Sequence, residues 1–168
     1  MKLLVVRHGA AMEREEFART GESDDLRPLT DEGKAEMESV AAGLRAQLET
    51  LDLLATSPLV RARQTAEIVA AAYGIGAPEI TSSLVPGTPF EEFEKWCSGI
   101  GEKDAIGVVG HEPHLSLLVR WLLADSPESE IHLKKGGACL MHFESQVSRG
   151  SGKLEWLLGP SKLANASE

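Results

Sequence analysis

Short apolar runs that stop abruptly set the pattern of this chain. Lys2 to Val6, Leu51 to Thr56 and Ala105 to Val109 are too short for helices, and polar or glycine residues follow each at once, so they predict buried strands. Between them, apolar positions recur at helical spacing. Met37, Val40, Ala41, Leu44 and Leu48 follow Thr30, an N-cap type of residue, with Asp31 and Glu32 in the first turn, where the helix dipole favours acids. "SPLVRARQTAEIVAAAYG" predicts a second helix, with Pro58 near its first turn and Gly74 ending it. "PEITSSLVPGTP" reads as a short extended piece and a turn. "PFEEFEKWCSGIG" and "HLSLLVRWLLAD" predict two further helices. "ACLMHFE" and "KLEWLLG" have strand character on either side of the turn-rich "SQVSRGSG", which predicts a hairpin.

Two stretches lack a period. "REEFARTGESDDLRPLT" reads as a long loop, or a loop with one helical turn, and long loops in compact domains tend to be functional. "PSKLANASE", from Pro160, is expected to be a loose end beyond a single domain spanning 1–159. Strands alternating with helices predict an α/β fold. The expected form is a three-layer α/β/α sandwich, with a mostly parallel central sheet and an antiparallel edge from the C-terminal hairpin. Ligands of such sheets bind at the carboxyl ends of the strands.

Charge narrows the function. Net charge is −9, from 17 basic and 26 acidic side chains, which argues against general nucleic-acid binding. Convergent arginines in so acidic a chain would form a local positive pocket. The 168 residues contain no apolar stretch near the length of a membrane span, and the apolar run after Met1 is too short for a signal peptide, so a cytoplasmic protein is expected. Cys97 and Cys139 have no metal-ligand spacing and are expected as free, buried thiols. No exposed apolar stripe stands out, so a monomer is expected.

Three strands end in the same way: "VVRHG", "ATSPLVRARQTA" and "VVGHEP". Taken singly, each has a plain reading, a strand followed by polar loop residues. If the strands are parallel, Arg7, His8, Ser57, Arg61 and His111 converge on one sheet edge. Two guanidiniums match a tetrahedral dianion, because arginine pairs bidentately with phosphate and stays charged. One imidazole can act as nucleophile and the other as donor. Arg7 and Arg61 would favour a neutral His8, the form that attacks phosphorus. Gly9 leaves the backbone free to come close. No "GxxxxGK" loop exists, which removes the case for a kinase or ATPase. His111 and His114 lack ligand partners at metal spacing, so no metal is expected. Arg61 and Arg63, two apart on a helix, should face opposite ways, with Arg61 toward the strand tips.

"VVRHG", "RPLTDEG", "SPLVRARQTAE" and "VVGHEPHLS", in this order, resemble the histidine phosphatase superfamily over residues 1 to about 145. Within it the chain is similar to the small bacterial phosphohistidine phosphatases of SixA type. The resemblance implies a phosphoglycerate mutase-like fold and phosphatase chemistry without metal or organic cofactor. It implies His8 as the nucleophile that becomes phosphorylated, with Arg7, Arg61 and His111 binding the phosphoryl group. It also suggests Arg27, in "LRPLT", at the pocket mouth.

Two departures bear on the reaction. The mutases and their phosphatase relatives carry an Asn after the first motif and a Glu after the third short strand. Here "AAMEREE" lacks the Asn and "SSLVPGTP" lacks the Glu. Glu112 is the candidate replacement acid, because the larger acid phosphatases place an acidic residue directly after their second histidine; its plain reading is a charge at the pocket rim. The expected substrate is phosphohistidine on a partner protein, such as a histidine phosphotransfer domain. A small-molecule phosphomonoesterase and a non-enzymatic phosphate-binding module are the alternatives.

Overall fold

The computed structural model describes residues 1–124 and 131–166. Six strands form one sheet: β1 (Lys2–Arg7), β2 (Leu53–Thr56), β3 (Glu79–Ile80), β4 (Ala105–Gly110), β5 (Ala138–His142) and β6 (Lys153–Leu158). Their order is β3-β2-β4-β1-β5-β6. The first four in that order run parallel, while β5 is antiparallel to β1 and β6 to β5, so the hairpin supplies the antiparallel edge. The helices are α1 (Arg14–Ala18), α2 (Asp31–Gln47), α3 (Val60–Tyr73), α4 (Phe90–Gly99), α5 (His114–Leu122) and α6 (Pro160–Asn165).

Alternation along β1 builds the two cores. Leu4 and Val6 face one way, onto Met37, Val40 and Leu44 of α2 and Ala62 and Val69 of α3. Leu3 and Val5 face the other, onto Phe93 of α4 and Leu115, Leu118 and Leu122 of α5. The result is the three-layer sandwich expected from the pattern. Local signals act where they were read. Thr30 Oγ1 accepts the Gly33 amide at 2.9 Å and caps α2, and Gly74 closes α3 in the left-handed region at φ 65°.

The structure corrects several boundaries; β1 and β4 each run one residue further, to Arg7 and Gly110. β2 starts at Leu53, not Leu51, as Asp52 turns its carboxylate onto the amides of Asp104 and Ala105. α5 ends at Leu122; Asp125, the last residue of the predicted helix, lies outside the described residues. The expected loose end is instead α6, with Pro160 in its first turn and Leu163 fully buried. It lies so close to α2 that a side chain at Gly43 would strike the Leu163 carbonyl. Residues 167–168 of that stretch lie outside the described residues. Among the described residues, no helix is long and apolar enough to cross a membrane.

Candidate active site

Register brings the candidate residues together. Arg7 pairs with Gly110 across β1 and β4, and Thr56 with Val109 across β2 and β4. His8, Ser57 and His111 are therefore the first residues beyond three adjacent parallel strands. The ladder extends one step further, since the His8 amide donates to Gly110 O at 3.0 Å and the Ser57 amide to Val109 O at 3.1 Å. The His8 and His111 rings lie 5.1 Å apart between centroids.

His8 Nδ1 donates to Gly9 O at 2.7 Å, and a carbonyl can only accept. The proton of a neutral His8 therefore sits on Nδ1, leaving the lone pair on Nε2. Burial pushes His8 down to about 4; the Gly9 bond opposes this, and the charges of Arg61, Arg7 and Arg27 add to it. The sequence suggested the arginines as the cause, but desolvation is the larger one. Burial, together with His8, Arg61, His114 and Arg27, holds His111 at about 3. Both rings are uncharged at neutral pH.

Three guanidiniums surround this pair, and each is held differently. Arg7 donates through a terminal nitrogen to Leu133 O at 2.8 Å. Arg61 donates to the Asp24 carbonyl at 3.0 Å and lies 3.3 Å from the Asp24 carboxylate. Arg27 donates to the same carboxylate at 2.9 Å and to Met12 O at 2.8 Å. The Nε groups of Arg7 and Arg61 are buried and have no partner among the described residues. Unsatisfied buried donors beside two neutral imidazoles favour an anionic guest. Arg61 is buried on α3 while Arg63 is exposed, as helical spacing predicts.

Asp24 went unnoticed in the sequence. It lies on a single 3-10 turn, Asp24–Leu26, inside an excursion closed at its base by a bridge between Ala11 and Leu29. Burial raises its carboxyl pKa, but the Arg27 hydrogen bond and the charges of Arg27, Arg61 and Arg14 outweigh that and lower it overall. Its signal was the three-residue spacing to Arg27 in a helical turn. Thr65 was missed as well: one helical turn after Arg61, its Oγ1 accepts the Gly9 amide at 3.1 Å.

Gly9 and Ser57 serve the site in ways other than direct access. The Gly9 amide is engaged by Thr65, and a Cβ there would meet Met37 Cγ at 2.6 Å, so the residue lets α2 close under His8. Ser57 is fully buried, with its Oγ 2.8 Å from His111 Nε2. Glu112 accepts from Ser116 Oγ at 2.6 Å in the first turn of α5 and approaches His132 at 3.8 Å. Its charge also favours the Arg7 cation, which burial disfavours. His114 is the first residue of α5 and buried, its ring tilted against that of Phe90 with 5.2 Å between centroids.

Known proteins share this fold. The fold superposes on the protein histidine phosphatase SixA complexed with tungstate, with a TM-score of 0.80 and 24% identity over 97% of this chain and 99% of that one. A phosphoserine phosphatase of Entamoeba histolytica, in complex with 3-phosphoglyceric acid, gives 0.67 and 18% over 93% and 95%. An uncharacterized protein of Picosynechococcus sp. is 34% identical over 141 residues, 82% of each chain. Residues 3–84 match the histidine phosphatase superfamily (branch 1). With that match, the relative's identity and the paired histidines at the strand tips, the chain belongs to the histidine phosphatase superfamily.

Proposed function

We propose that this phosphatase hydrolyses phosphohistidine on a partner protein through a phosphorylated His8. The observation that carries this reading is the His8 hydrogen bond to Gly9 O, which leaves Nε2 as a neutral nucleophile amid arginines. The substrate's phosphoryl oxygens would meet the free Nε donors of Arg7 and Arg61, with His111 as a further donor. His8 Nε2 attacks phosphorus in line as the bond to the leaving imidazole nitrogen breaks. That nitrogen takes its proton from solvent, so the partner's histidine departs as a neutral imidazole. Water then attacks the phosphoryl group on His8, the P–N bond breaks, and inorganic phosphate departs as Nε2 regains its lone pair. Imidazole is a good leaving group once protonated, so the missing mutase-type glutamate matters least for this substrate.

The neighbours include phosphatases for protein histidine and for phosphoserine, so a small phosphomonoester is the competing substrate. Arg27, 8% exposed and pinned to Asp24, would border the entrance in either case. The test is phosphate release from a phosphorylated histidine phosphotransfer domain beside a panel of phosphate esters, with and without a chelator. Turnover of the phosphoprotein in chelator, with slow turnover of alkyl esters, is the expected result. Equal rates on sugar phosphates would move the assignment to a small-molecule phosphomonoesterase, and loss of all turnover in chelator would end the metal-free mechanism.

A further inference from the structure

Among the described residues, the contacts of Ser57 leave its hydroxyl proton a single destination. Its Oγ accepts the Leu59 amide at 3.2 Å and lies 2.8 Å from His111 Nε2. The residue has no exposed surface, so water does not compete. A hydroxyl has one proton to give, and stranding it inside the protein is costly. The Leu59 amide is itself a donor and cannot receive it. If His111 Nε2 carried a proton, Ser57 Oγ would face two donors and its own proton would have no acceptor. The consistent arrangement has Ser57 donating to Nε2. A neutral imidazole then carries its N–H on Nδ1. That nitrogen is buried with no partner among the described residues, in the ring 5.1 Å from His8.

We propose that Ser57 is a positioning residue that locks His111 as the Nδ1–H tautomer, making it a hydrogen-bond donor to a phosphoryl oxygen. The opposite tautomer would turn a lone pair toward an anion and repel it. Burial keeps the ring neutral, so His111 cannot donate through both nitrogens, and the hydroxyl decides which one donates. Ser57 thus acts on the phosphoryl group through His111, as a second residue orients a metal-bound histidine through its other nitrogen. The catalytic consequence rests on the phosphoryl-transfer reading of the site. The tautomer itself belongs to the unliganded protein.

Long-range 1H–15N correlation spectra of 15N-histidine-labelled protein at neutral pH read the tautomer directly. The wild type should show His111 protonated at Nδ1 and bare at Nε2, with and without tungstate as the anionic probe. Ser57→Ala should move His111 toward the Nε2–H form and weaken tungstate binding. It should also lower kcat/KM for an aryl phosphate by about 100-fold, the scale of one lost donor to a developing oxyanion. Ser57→Thr, which keeps the hydroxyl, should restore the Nδ1–H form. An Nε2–H tautomer in the wild type overturns the proposal without need of any variant, and so does an unchanged tautomer in Ser57→Ala. A shifted tautomer with unchanged tungstate affinity overturns the donor role. An Nδ1–H tautomer in a protein that hydrolyses no phosphorylated substrate would leave the lock standing and remove the functional reading.

Discussion

Arg7 and Arg61 flank the same two histidines, yet they are secured by different means. Arg7 is the last residue of β1; its amide donates to Gly137 O at 3.0 Å and its side chain to Leu133 O at 2.8 Å. Arg61 sits on α3 and, among the described residues, is secured by Asp24 alone, whose side chain is 44% exposed and which also holds Arg27. One half of the site is thus framed by the sheet and backbone. The other hangs on an ion-paired loop. Backbone register resists salt and substitution, whereas an exposed carboxylate is screened by salt and can be replaced. The strand-tip half should therefore set whether the chemistry happens at all, and the loop half how well the phosphoryl group is held.

The largest effect should come from the strand tips. His8→Ala should abolish turnover, since no other residue is placed to accept the phosphoryl group beside His111. Rapid quenching with labelled substrate should trap an acid-labile, base-stable adduct in the wild type and none in the variant. An adduct of equal stability in the variant would move the nucleophile elsewhere. Next comes Arg61→Ala, which removes a charged donor from the reacting oxygens and should cost on the order of 10²-fold or more in kcat/KM. Arg63→Ala, two residues along the same helix and exposed, serves as its control and should change little. A reversed ranking would mean that α3 presents its other face to the substrate.

Asp24→Asn tests the loop half directly. The substitution keeps the shape but removes the charge that two buried guanidiniums share. If Asp24 orients Arg61, KM should rise by about tenfold with kcat nearly unchanged, the signature of lost uniform binding. The wild type should show part of the same loss at high salt. If KM falls instead, the carboxylate competes with the phosphoryl group for the guanidinium, and the loop is an occupant of the site and not its scaffold.

The same division decides what could be read from sequence. Strand-tip residues were legible because two facts fix them: a short apolar run ends, and parallel strands finish on one edge. His8, His111 and Arg7 follow from that, and helical periodicity adds Arg61 while excluding Arg63. Asp24 was barely legible, because apart from its three-residue spacing to Arg27 nothing in "ARTGESDDLRPLT" says which of its acids meets the site. That choice depends on the Ala11–Leu29 bridge and on Arg61, 37 residues away. Gly9 and Ser57 were recognised as part of the site but with different contacts, since a sequence places a residue near a site without saying whether a neighbour already occupies its amide or hydroxyl. α6 escaped for another reason: its one buried apolar residue, Leu163, makes no period, and only the proline at its start hinted at a helix.

The smallest effect should come from Glu112, which follows His111 in sequence but not in its contacts. Its carboxylate is tied to Ser116 Oγ at 2.6 Å, approaches His132 and favours the Arg7 cation. Those contacts make it a support of the strand-tip half. A general acid, by contrast, must reach the leaving atom. Proton donation flattens the dependence of rate on leaving-group basicity, because the departing atom no longer carries full charge in the transition state. An enzyme without such a donor shows a steep dependence, with phosphoramidates and activated aryl phosphates turning over and unactivated alkyl phosphates reacting poorly. Glu112→Gln keeps the Ser116 hydrogen bond within reach and removes only the charge and the acid. If Glu112 is a support, phosphohistidine turnover should stay within about twofold of the wild type, and a series of aryl phosphates should keep its steep slope. Should Glu112→Gln erase sugar phosphate hydrolysis alone while the wild type cleaves those esters as fast as phosphohistidine, Glu112 is the acid. The site would then be built for small phosphomonoesters, and the strand-tip half would hold the proton donor as well as the nucleophile.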